Sequence, residues 1–481
     1  MQLIINNFGP IKTGEIDLSK KFYVFVGYNN SGKTYVSHLL WAIFNENNIK
    51  TFSKACQIED IEDSNHFELS QIMIDQILNQ LASFLTEKVI PHTFNVENDH
   101  LMLNKLSLKL KFNIEGIVNY NRKSMYGIRV SEQNSEFLTL SKNEGSLRVK
   151  VEKIRSKDII DNVSSTNLFD ENAPKSSIIV EFILALILNN THKPIFIPSS
   201  RLVYPRFYEY FYRLEKEKKQ EMSKRFLDLL EKKNKGEPFQ LDSLSISSFK
   251  GFYTEPMDLL FEKVYRLNEN ATANTYYKNI IAALSKIIGG DIIMKKRLGI
   301  APIEFYLSFS HKPDEDLEMY LSSSSVNQLS TLYLYFKYWA YEANNFLMID
   351  EPEENLHPKH QMALLNVLLK FANENNNRVL MTTHSPLLAD MINNYHYLAF
   401  LKSKRIQINP LIENYPELQL DINLTIEDIA IYFFEGDNIQ TYKMGEYGVF
   451  FDDFHYELRK NKNISEILTD QIYQVINNGD S

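Results

Sequence analysis

Residues 22–44 read FYVFVGYNNSGKTYVSHLLWAIF and divide into three parts. A β-branched and aromatic run is followed by a loop bounded by glycines, and then by a run with helical spacing. The loop, residues 27–34, matches the pattern G-x-x-x-x-G-K-[ST] in full, and it has the strand before it and the helix after it that this pattern requires. The stretch therefore predicts an α/β fold built around this loop.

The residue types of the loop suit a phosphate ligand. Gly27 and Gly32 allow the backbone to turn so that successive N–H groups point inward, and the following helix adds the positive end of its dipole. Lys33 is placed to reach the β- and γ-phosphates, and the Thr34 hydroxyl to ligate Mg²⁺. We expect a nucleoside triphosphate, bound by Gly27, Tyr28, Asn29, Asn30, Ser31, Gly32, Lys33 and Thr34.

Composition favours a globular protein of the reducing cytosol. The chain has 481 residues, 44% of them hydrophobic and 23% charged, and one cysteine, Cys56. No apolar run approaches the about 20 residues of a membrane helix, and residues 178–188, the longest candidate, include Glu181. The N-terminus starts directly with a strand-like QLIINNF. We therefore expect a cytoplasmic protein without a signal peptide or membrane insertion.

Charge leaves nucleic acid open as a partner. The net charge of −9 argues against a generally basic DNA-binding protein, but lysines and arginines cluster at 216–235 and 295–297. Residues 207–235 predict a charge-rich helix. It has two interpretations, a solvated helix face or an arm that faces DNA or a partner.

The pattern of elements divides the chain into several regions. Residues 3–27 predict three short strands, 102–155 further strands, 178–188 a buried helix and 194–197 a strand followed by Pro-Ser-Ser-Arg. We assign a split head to 1–48 and 300–411, an inserted α+β region to 49–192, a core strand with a following loop to 193–204, a helical insertion to 205–299, and a C-terminal cap or partner-binding tail to 412–481.

A second stretch that carries chemistry is FLMIDEPEENLHPKHQ, residues 346–361. Its apolar run predicts a buried strand that ends in two acids. A carboxylate at the carboxyl end of a parallel strand, beside a phosphate loop, can hold Mg²⁺, and a neighbouring acid can orient or deprotonate the attacking water. We assign these roles to Asp350 and Glu351.

Two further segments complete the candidate site. Residues 378–382 predict the next strand, and His384 follows it, where an imidazole can donate to a developing charge on a γ-phosphate. Residues 321–329, LSSSSVNQL, precede a long apolar helix. They are either an anion site at a helix N-terminus or a serine-rich cap with no further role.

Together, these segments resemble the ABC-type ATPase heads of the RecF, SMC and OLD (overcoming lysogenization defect) group. The resemblance rests on GYNNSGKT at 27–34, LMIDEPEENLHP at 347–358 and TTHSP at 382–386. It implies an ABC-type P-loop head with a split mixed sheet, in which two protomers enclose two ATP molecules with Mg²⁺. It further implies that Ser323 and Ser324 are the signature serines, which contact the ATP bound by the partner protomer, and that Asn327 of the same segment belongs to this nucleotide-binding group. It also implies that 353–357 form the D-loop and that His384 is the switch histidine. The chain lacks the glycines that the family's signature has around 324–328.

The preferred function is an ATP-hydrolysing switch or sensor, with Lys33, Glu351 and His384 as catalytic residues. By analogy with the family it acts in anti-phage defence or DNA maintenance, as a homodimer or higher oligomer with a separate effector protein. One alternative is an ATP-dependent DNA-binding repair protein of RecF type. A second is an OLD-type nuclease, for which Phe434-Glu435-Gly436-Asp437 is a superficial match. Asp452 and Asp453 are the acids available for a later strand of that fold, but they follow too soon to leave room for it. A transporter subunit fits less well, because the large insertions do not match a compact head.

Overall fold

The structure is a computed structural model. It describes residues 1–58, 65–129, 136–155, 166–168, 174–189, 193–199, 253–267, 271–295, 303–309, 315–408, 410, 414–415, 418–442, 459–460 and 462–469. Within these ranges no helix has the length and apolar character needed to cross a membrane. The basic segment 216–235, Arg201, Asp452 and Asp453 lie outside the described residues.

Seventeen strands are described. They are β1 (Gln2–Phe8), β2 (Ile11–Asp17), β3 (Phe22–Gly27), β4 (His66–Glu68), β5 (Ser107–Lys111), β6 (Arg122–Arg129), β7 (Glu136–Lys142), β8 (Arg148–Arg155), β9 (Thr166–Leu168), β10 (Lys193–Ile197), β11 (Gly290–Lys295), β12 (Glu304–Phe309), β13 (Asp316–Glu318), β14 (Asn345–Ile349), β15 (Arg378–Thr383), β16 (Ile429–Glu435) and β17 (Asn438–Thr441).

The α-helices are α1 (Lys33–Phe44), α2 (Glu46–Ala55), α3 (Gln71–Phe84), α4 (Ile90–Phe94), α5 (Lys175–Ile187), α6 (Glu255–Tyr265), α7 (Lys278–Ile288), α8 (Ser324–Leu334), α9 (Pro358–Asn373) and α10 (Pro386–Ser403). Two turns of π-helix, Leu85–Val89 and Tyr335–Trp339, continue α3 and α8.

One nine-stranded sheet organises the head, in the order β10-β14-β15-β3-β16-β17-β2-β1-β5. The strands from β10 to β16 run parallel, whereas β1 pairs antiparallel with β2 and β5. The parallel strands β3, β14 and β15 are buried throughout, as expected of strands covered on both faces. This confirms the predicted fold class, a split, mixed α/β sheet with helices.

The two faces of the sheet belong to two hydrophobic cores. Alternate residues of β3 point to opposite faces: Tyr23 and Phe25 pack with α1, α2 and α5, while Val24 and Val26 pack with α7 to α10. Strand β3 is therefore fixed from both sides, and so is the loop that follows it.

The C-terminal part of the sheet differs from the sequence-based division. Strand β16 lies parallel to β3 with Phe434 opposite Gly27, and β17 turns back to pair with β2. Residues 429–441, placed in a C-terminal tail after 412 by the sequence, thus form part of the head. The apolar run Ile429–Glu435 is buried except for its last residue. Burial of these side chains beside β3 explains why the segment joins the main sheet.

Two smaller sheets are also described, one within the inserted region 49–192 and one at the boundary between the region 205–299 and the second part of the head. One has the order β4-β8-β7-β6-β9 and the other the order β11-β12-β13. In the second, Gly290–Lys295 pairs with β12, so the region 205–299, expected to be mostly helical, includes a strand near its end. Gly289 ends α7 with φ 86, a left-handed conformation that suits glycine and allows the chain to turn from helix into strand.

Candidate functional site

The phosphate loop is held between its neighbours by two glycines. Gly27 has φ 141, and a Cβ there would lie 2.5 Å from the Phe434 carbonyl oxygen of β16. Gly32 has φ 95, and its Cβ would lie 2.9 Å from the side chain of Ile11. Neither position accepts a side chain without movement, so the turn requires glycine at both.

Lys33 is buried and bends back over the loop. Its Nζ donates to the carbonyl oxygens of Gly27 at 3.0 Å and Tyr28 at 2.8 Å. Burial lowers the pKa of Lys33, and the carboxylates of Glu351, Asp350 and Glu353 act in the opposite direction. The loop lysine and the acids of the second stretch therefore share one electrostatic environment.

The register of the parallel strands brings the second stretch to the loop. Ile349 pairs with Ile197 and Met381, and Thr383 pairs with Val26. The carboxyl ends of β10, β14, β15 and β3 thus meet at one edge of the sheet, where such folds bind ligands.

Thr34 and Asp350 meet directly at this edge. Thr34 Oγ1 donates to Asp350 Oδ2 at 2.9 Å, and Thr382 Oγ1 donates to Asp350 Oδ1 at 3.2 Å. A hydroxyl and a carboxylate are oxygen ligands of the kind that Mg²⁺ takes alongside phosphates and water. Within the described residues no group of three His, Cys, Asp or Glu side chains forms a metal site. The donor set fits a Mg²⁺ that is shared with a phosphate.

Glu351 and His384 form a second pair. His384 Nε2 lies 3.0 Å from Glu351 Oε1. Glu351 has φ 44, a left-handed conformation that costs a residue with a side chain about 1 kcal/mol or more. Its N–H donates to Thr382 Oγ1 at 3.0 Å, which helps to hold this conformation and to present the carboxylate.

Thr382 has no role assigned from the sequence, and Glu353 is assigned only as the first residue of the D-loop segment 353–357. The Thr382 hydroxyl bridges the backbone of Glu351 and the carboxylate of Asp350. Glu353 is buried and accepts from Thr383 Oγ1 at 2.6 Å and from the His384 N–H at 2.9 Å. Burial raises the pKa of Glu353, while these hydrogen bonds oppose the rise. Thr382 and Glu353 therefore position Glu351 and His384, and they do not themselves reach into the phosphate loop.

The serine segment stands apart from the loop of its own chain. Ser323 caps α8 and is exposed, as is Ser324. Asn327 is buried and its amide donates to the carbonyl oxygens of Met319, Ser322 and Ser323. Within the described residues, none of the hydrogen bonds of Ser323 and Asn327 reaches residues 27–34. The structure therefore brings together Lys33, Thr34, Asp350, Glu351 and His384, but leaves Ser323, Ser324 and Asn327 outside this group.

Gln328 connects the serine segment to the acids. Its Nε2 donates to the Ser199 carbonyl oxygen at 3.2 Å and to Glu354 Oε2 at 3.0 Å. The segment Pro-Ser-Ser-Arg at 198–201, of which Pro198 and Ser199 are described, thus contacts α8 through Ser199. Gln328 had no assigned role, and a glutamine near a helix start gives little signal by itself.

Comparison with known proteins gives a family match. A family model described as AAA ATPase domain matches residues 1–389. No curated protein matches.

Among solved structures, three SMC heads are similar to this chain. An Smc head bound to the C-winged helix domain of ScpA has 10% identity and a TM-score of 0.33, covering 92% of this chain and 96% of that chain. A second, derived from Pyrococcus furiosus, with an extended coiled coil and bound to the C-terminal domain of ScpA, has 11% identity and a TM-score of 0.31, covering 97% and 98%. The head from Thermotoga maritima has 10% identity and a TM-score of 0.30, covering 92% and 97%.

Proposed function

The chain belongs to the AAA ATPase domain family, and from this premise we propose that it is an ATP-hydrolysing switch that depends on Mg²⁺. Family membership confirms the ATPase head that the motifs predicted. The observation that carries the proposal is the meeting of the Thr34–Asp350 and Glu351–His384 pairs at the edge of the sheet beside Lys33. A phosphate loop, an oxygen donor pair and a carboxylate–imidazole pair are the parts that hydrolysis of a triphosphate requires.

Each residue has a distinct part in the proposed reaction. The loop N–H groups and Lys33 bind the phosphates, and Lys33 exchanges its two carbonyl partners for phosphate oxygens. Thr34 and Asp350 hold Mg²⁺, which when bound neutralises phosphate charge. Glu351 orients the attacking water and accepts its proton, and His384, next to that carboxylate, donates to the γ-phosphate.

The site is completed by a second copy of the chain. Ser323 and Ser324 lie exposed at the N-terminus of α8, preceded by Tyr320 and Leu321, whose side chains are 56% and 57% exposed. Hydroxyls and N–H groups at a helix start suit an anion, and exposed large apolar side chains beside them suit a protein contact. In a homodimer this surface covers the phosphate loop of the partner, so hydrolysis depends on assembly.

The biological role proposed for this switch is anti-phage defence or DNA maintenance, with a separate effector protein, in the cytosol. It is supported by the resemblance of residues 27–34, 347–358 and 382–386 to the RecF, SMC and OLD group. For the nuclease alternative, the later acids Asp452 and Asp453 lie outside the described residues. Phe434 and Glu435 end strand β16, and Gly436 and Asp437 form the turn to β17 of the head. Asp437 there pairs with Lys12 of β2.

The test is a comparison of purified wild-type chain with Lys33→Ala and Glu351→Gln. We expect Mg²⁺-dependent phosphate release from the wild type, loss of ATP binding in Lys33→Ala, and ATP retained without release in Glu351→Gln. Affinity purification with the Glu351→Gln variant should then recover the effector. A wild-type chain without hydrolysis, together with variants that change neither nucleotide occupancy nor assembly, would refute the switch.

The DNA-binding alternative has its own measurement. Its basic segment, 216–235, lies outside the described residues. Binding of duplex DNA that weakens steeply with salt, with a shallower slope after replacement of these lysines, would favour the RecF type of function. The switch proposal expects no such change in slope.

A further inference from the structure

A cavity of about 480 Å³ lies beside β10, the edge strand of the main sheet. Its walls come from four elements: the C-terminal half of α1, strand β10, helix α6 and the π-helical turn Tyr335–Trp339. The volume is within the range of small-molecule sites, about 300–1,000 Å³. Turns of π-helix occur often at functional sites.

The cavity has aromatic walls. Trp41 and Trp339, the only two tryptophans of the chain, both line it, together with Tyr338 and the ring of Pro194. Trp41 is 2% exposed, and Tyr338 and Trp339 are half-buried. Aromatic side chains contribute large, stiff surfaces that stack on flat rings. The walls therefore favour a planar aromatic ligand.

The charge inside the cavity is positive. Lys263 of α6 lines it, half-buried, and forms no hydrogen bond or short ion pair with the residues that the structure describes. Arg266 is paired with Glu262, so the described charged residues of the wall, Glu262, Lys263 and Arg266, leave one positive charge in excess. Burial lowers the pKa of Lys263, the carboxylate of Glu262 acts in the opposite direction, and the cations Arg266 and Lys193 add to the lowering. An anion placed beside Lys263 would relieve this desolvation.

We propose that this cavity binds a small planar aromatic molecule that carries one anionic group. The aromatic walls hold the ring, and Lys263 pairs with the anion. A neutral aromatic molecule of the same shape lacks the ion pair and binds more weakly.

The elements that line the cavity also lead to the nucleotide site. Helix α1 carries Trp41 two turns after Lys33. Strand β10 continues to Ser199, whose carbonyl oxygen accepts from Gln328 of α8. Helix α8 runs on into the π-helical turn with Tyr338 and Trp339. These shared elements are the route by which a ligand in the cavity would change ATP affinity, and ATP would then change the affinity for the ligand by the same factor. This coupling rests on the proposed function, whereas binding in the cavity does not.

The test of the site uses tryptophan fluorescence of the full chain without nucleotide. The probe is 4-nitrobenzoate, a quenching aromatic anion, and 4-nitrobenzamide is its neutral counterpart. We expect saturable quenching by both, tighter for the anion. Lys263→Met should weaken binding of 4-nitrobenzoate by about fivefold or more, because a charged partner is lost, and leave 4-nitrobenzamide unchanged. Lys286→Met, at an exposed position of α7, is the matched control. Quenching that does not saturate, or equal affinities in the two lysine variants, would overturn the site.

The test of the coupling is ATP affinity, measured by filter binding with Glu351→Gln at saturating 4-nitrobenzoate. We expect a change of about twofold or more that Lys263→Met abolishes. An unchanged ATP affinity overturns the coupling and leaves the site standing. Absence of ATP binding with and without the probe refutes the proposed function, while saturable quenching still supports the cavity.

Discussion

His384 Nε2 lies 3.0 Å from Oε1 of Glu351, although 33 positions separate the two residues in the chain. The pairing of Ile349 with Met381 in β14 and β15 brings them together, and the left-handed backbone of Glu351 turns its carboxylate toward the imidazole. A carboxylate held in this way is a candidate base for water activation.

The first prediction concerns this carboxylate. Glu351→Gln should lower ATP turnover by about 100-fold or more, the usual contribution of a general base, and leave the equilibrium constant for ATP binding within about threefold, because glutamine has the same shape. Phosphate release and filter binding measure the two quantities. Glu342→Gln, at an exposed position, should behave like the wild type. Equal losses of turnover in both variants would remove Glu351 from the mechanism.

The second prediction concerns the Thr34–Asp350 pair. Asp350→Asn removes the charge that we propose holds Mg²⁺ but keeps an oxygen near Thr34 Oγ1, which lies 2.9 Å from Asp350 Oδ2 in the wild type. We expect the Mg²⁺ concentration for half-maximal ATP binding to rise about tenfold or more, while ATP binding in EDTA stays unchanged. A Mg²⁺ titration of ATP affinity provides the measurement. An identical titration for variant and wild type would exclude Asp350 as a metal ligand.

The third prediction concerns Thr382, whose hydroxyl joins Glu351 N–H and Asp350 Oδ1. Thr382→Val keeps the shape of the side chain and removes both hydrogen bonds. It should lower the free energy of unfolding by about 1–3 kcal/mol, because a buried N–H loses its partner, and lower turnover with little change in ATP affinity. Thr382→Ser restores the hydroxyl and should recover both quantities. If serine and valine behave alike, the hydroxyl has no positioning role.

Much of this site could be predicted from the sequence because its parts are local. The loop at 27–34 and the acids Asp350 and Glu351 each follow an apolar strand directly, so a pattern of a few residues indicates them. Thr382 is different. Its role depends on the register between β14 and β15, which no local pattern specifies, and the only signal is a polar residue near the end of a buried strand.

The position of β16 was missed for a related reason. Its seven residues read as a buried strand, but its neighbour β3 lies about 400 residues earlier, and parallel pairing across such a separation leaves no mark in the local sequence. Strand β11 is not indicated by the sequence, because its apolar residues begin directly after α7 and Gly289. The helical spacing of α7 and the alternation of β11 therefore form one continuous apolar pattern, in which the boundary between helix and strand is not visible.

The fourth prediction concerns the shared site. Lys33→Ala disables a chain's own loop, and Ser324→Arg disables the surface that it offers to a partner. Each variant alone should be inactive. A mixture of equal amounts should regain about a quarter of wild-type turnover, because half of the dimers are mixed and each of these has one intact site of two. Phosphate release after mixing checks this. A mixture as inactive as its components would show that both elements act within one chain.

The last prediction concerns pH and His38, which is buried behind the loop on α1. Its Nδ1 lies 2.8 Å from the Thr34 carbonyl oxygen, which can only accept, so Nδ1 carries the proton and Nε2 accepts from Thr254 Oγ1 at 2.7 Å. The ring also packs on Phe196, with centroids 4.3 Å apart. Burial lowers the pKa of His38 to about 4, and the bond to Thr34 only partly offsets this.

The sign of the pH effect follows from this lowered pKa. The unfolded chain, with an ordinary pKa of about 6.5, binds more protons than the folded chain between pH 6.5 and 4, so the stability contributed by neutral His38 is present above pH 6.5 and is lost as pH falls toward 4. The full loss is about 3 kcal/mol, at about 1.4 kcal/mol for each unit of the shift.

Carboxyl groups titrate in the same range, so the informative quantity is the difference in unfolding free energy between wild type and His38→Gln, measured with urea from pH 7 to 4.5. That difference should shrink as pH falls. A difference that stays constant from pH 7 to 4.5 would mean that the pKa of His38 is the same in the folded and the unfolded chain, and the burial and hydrogen bonds of His38 would then not favour its neutral form.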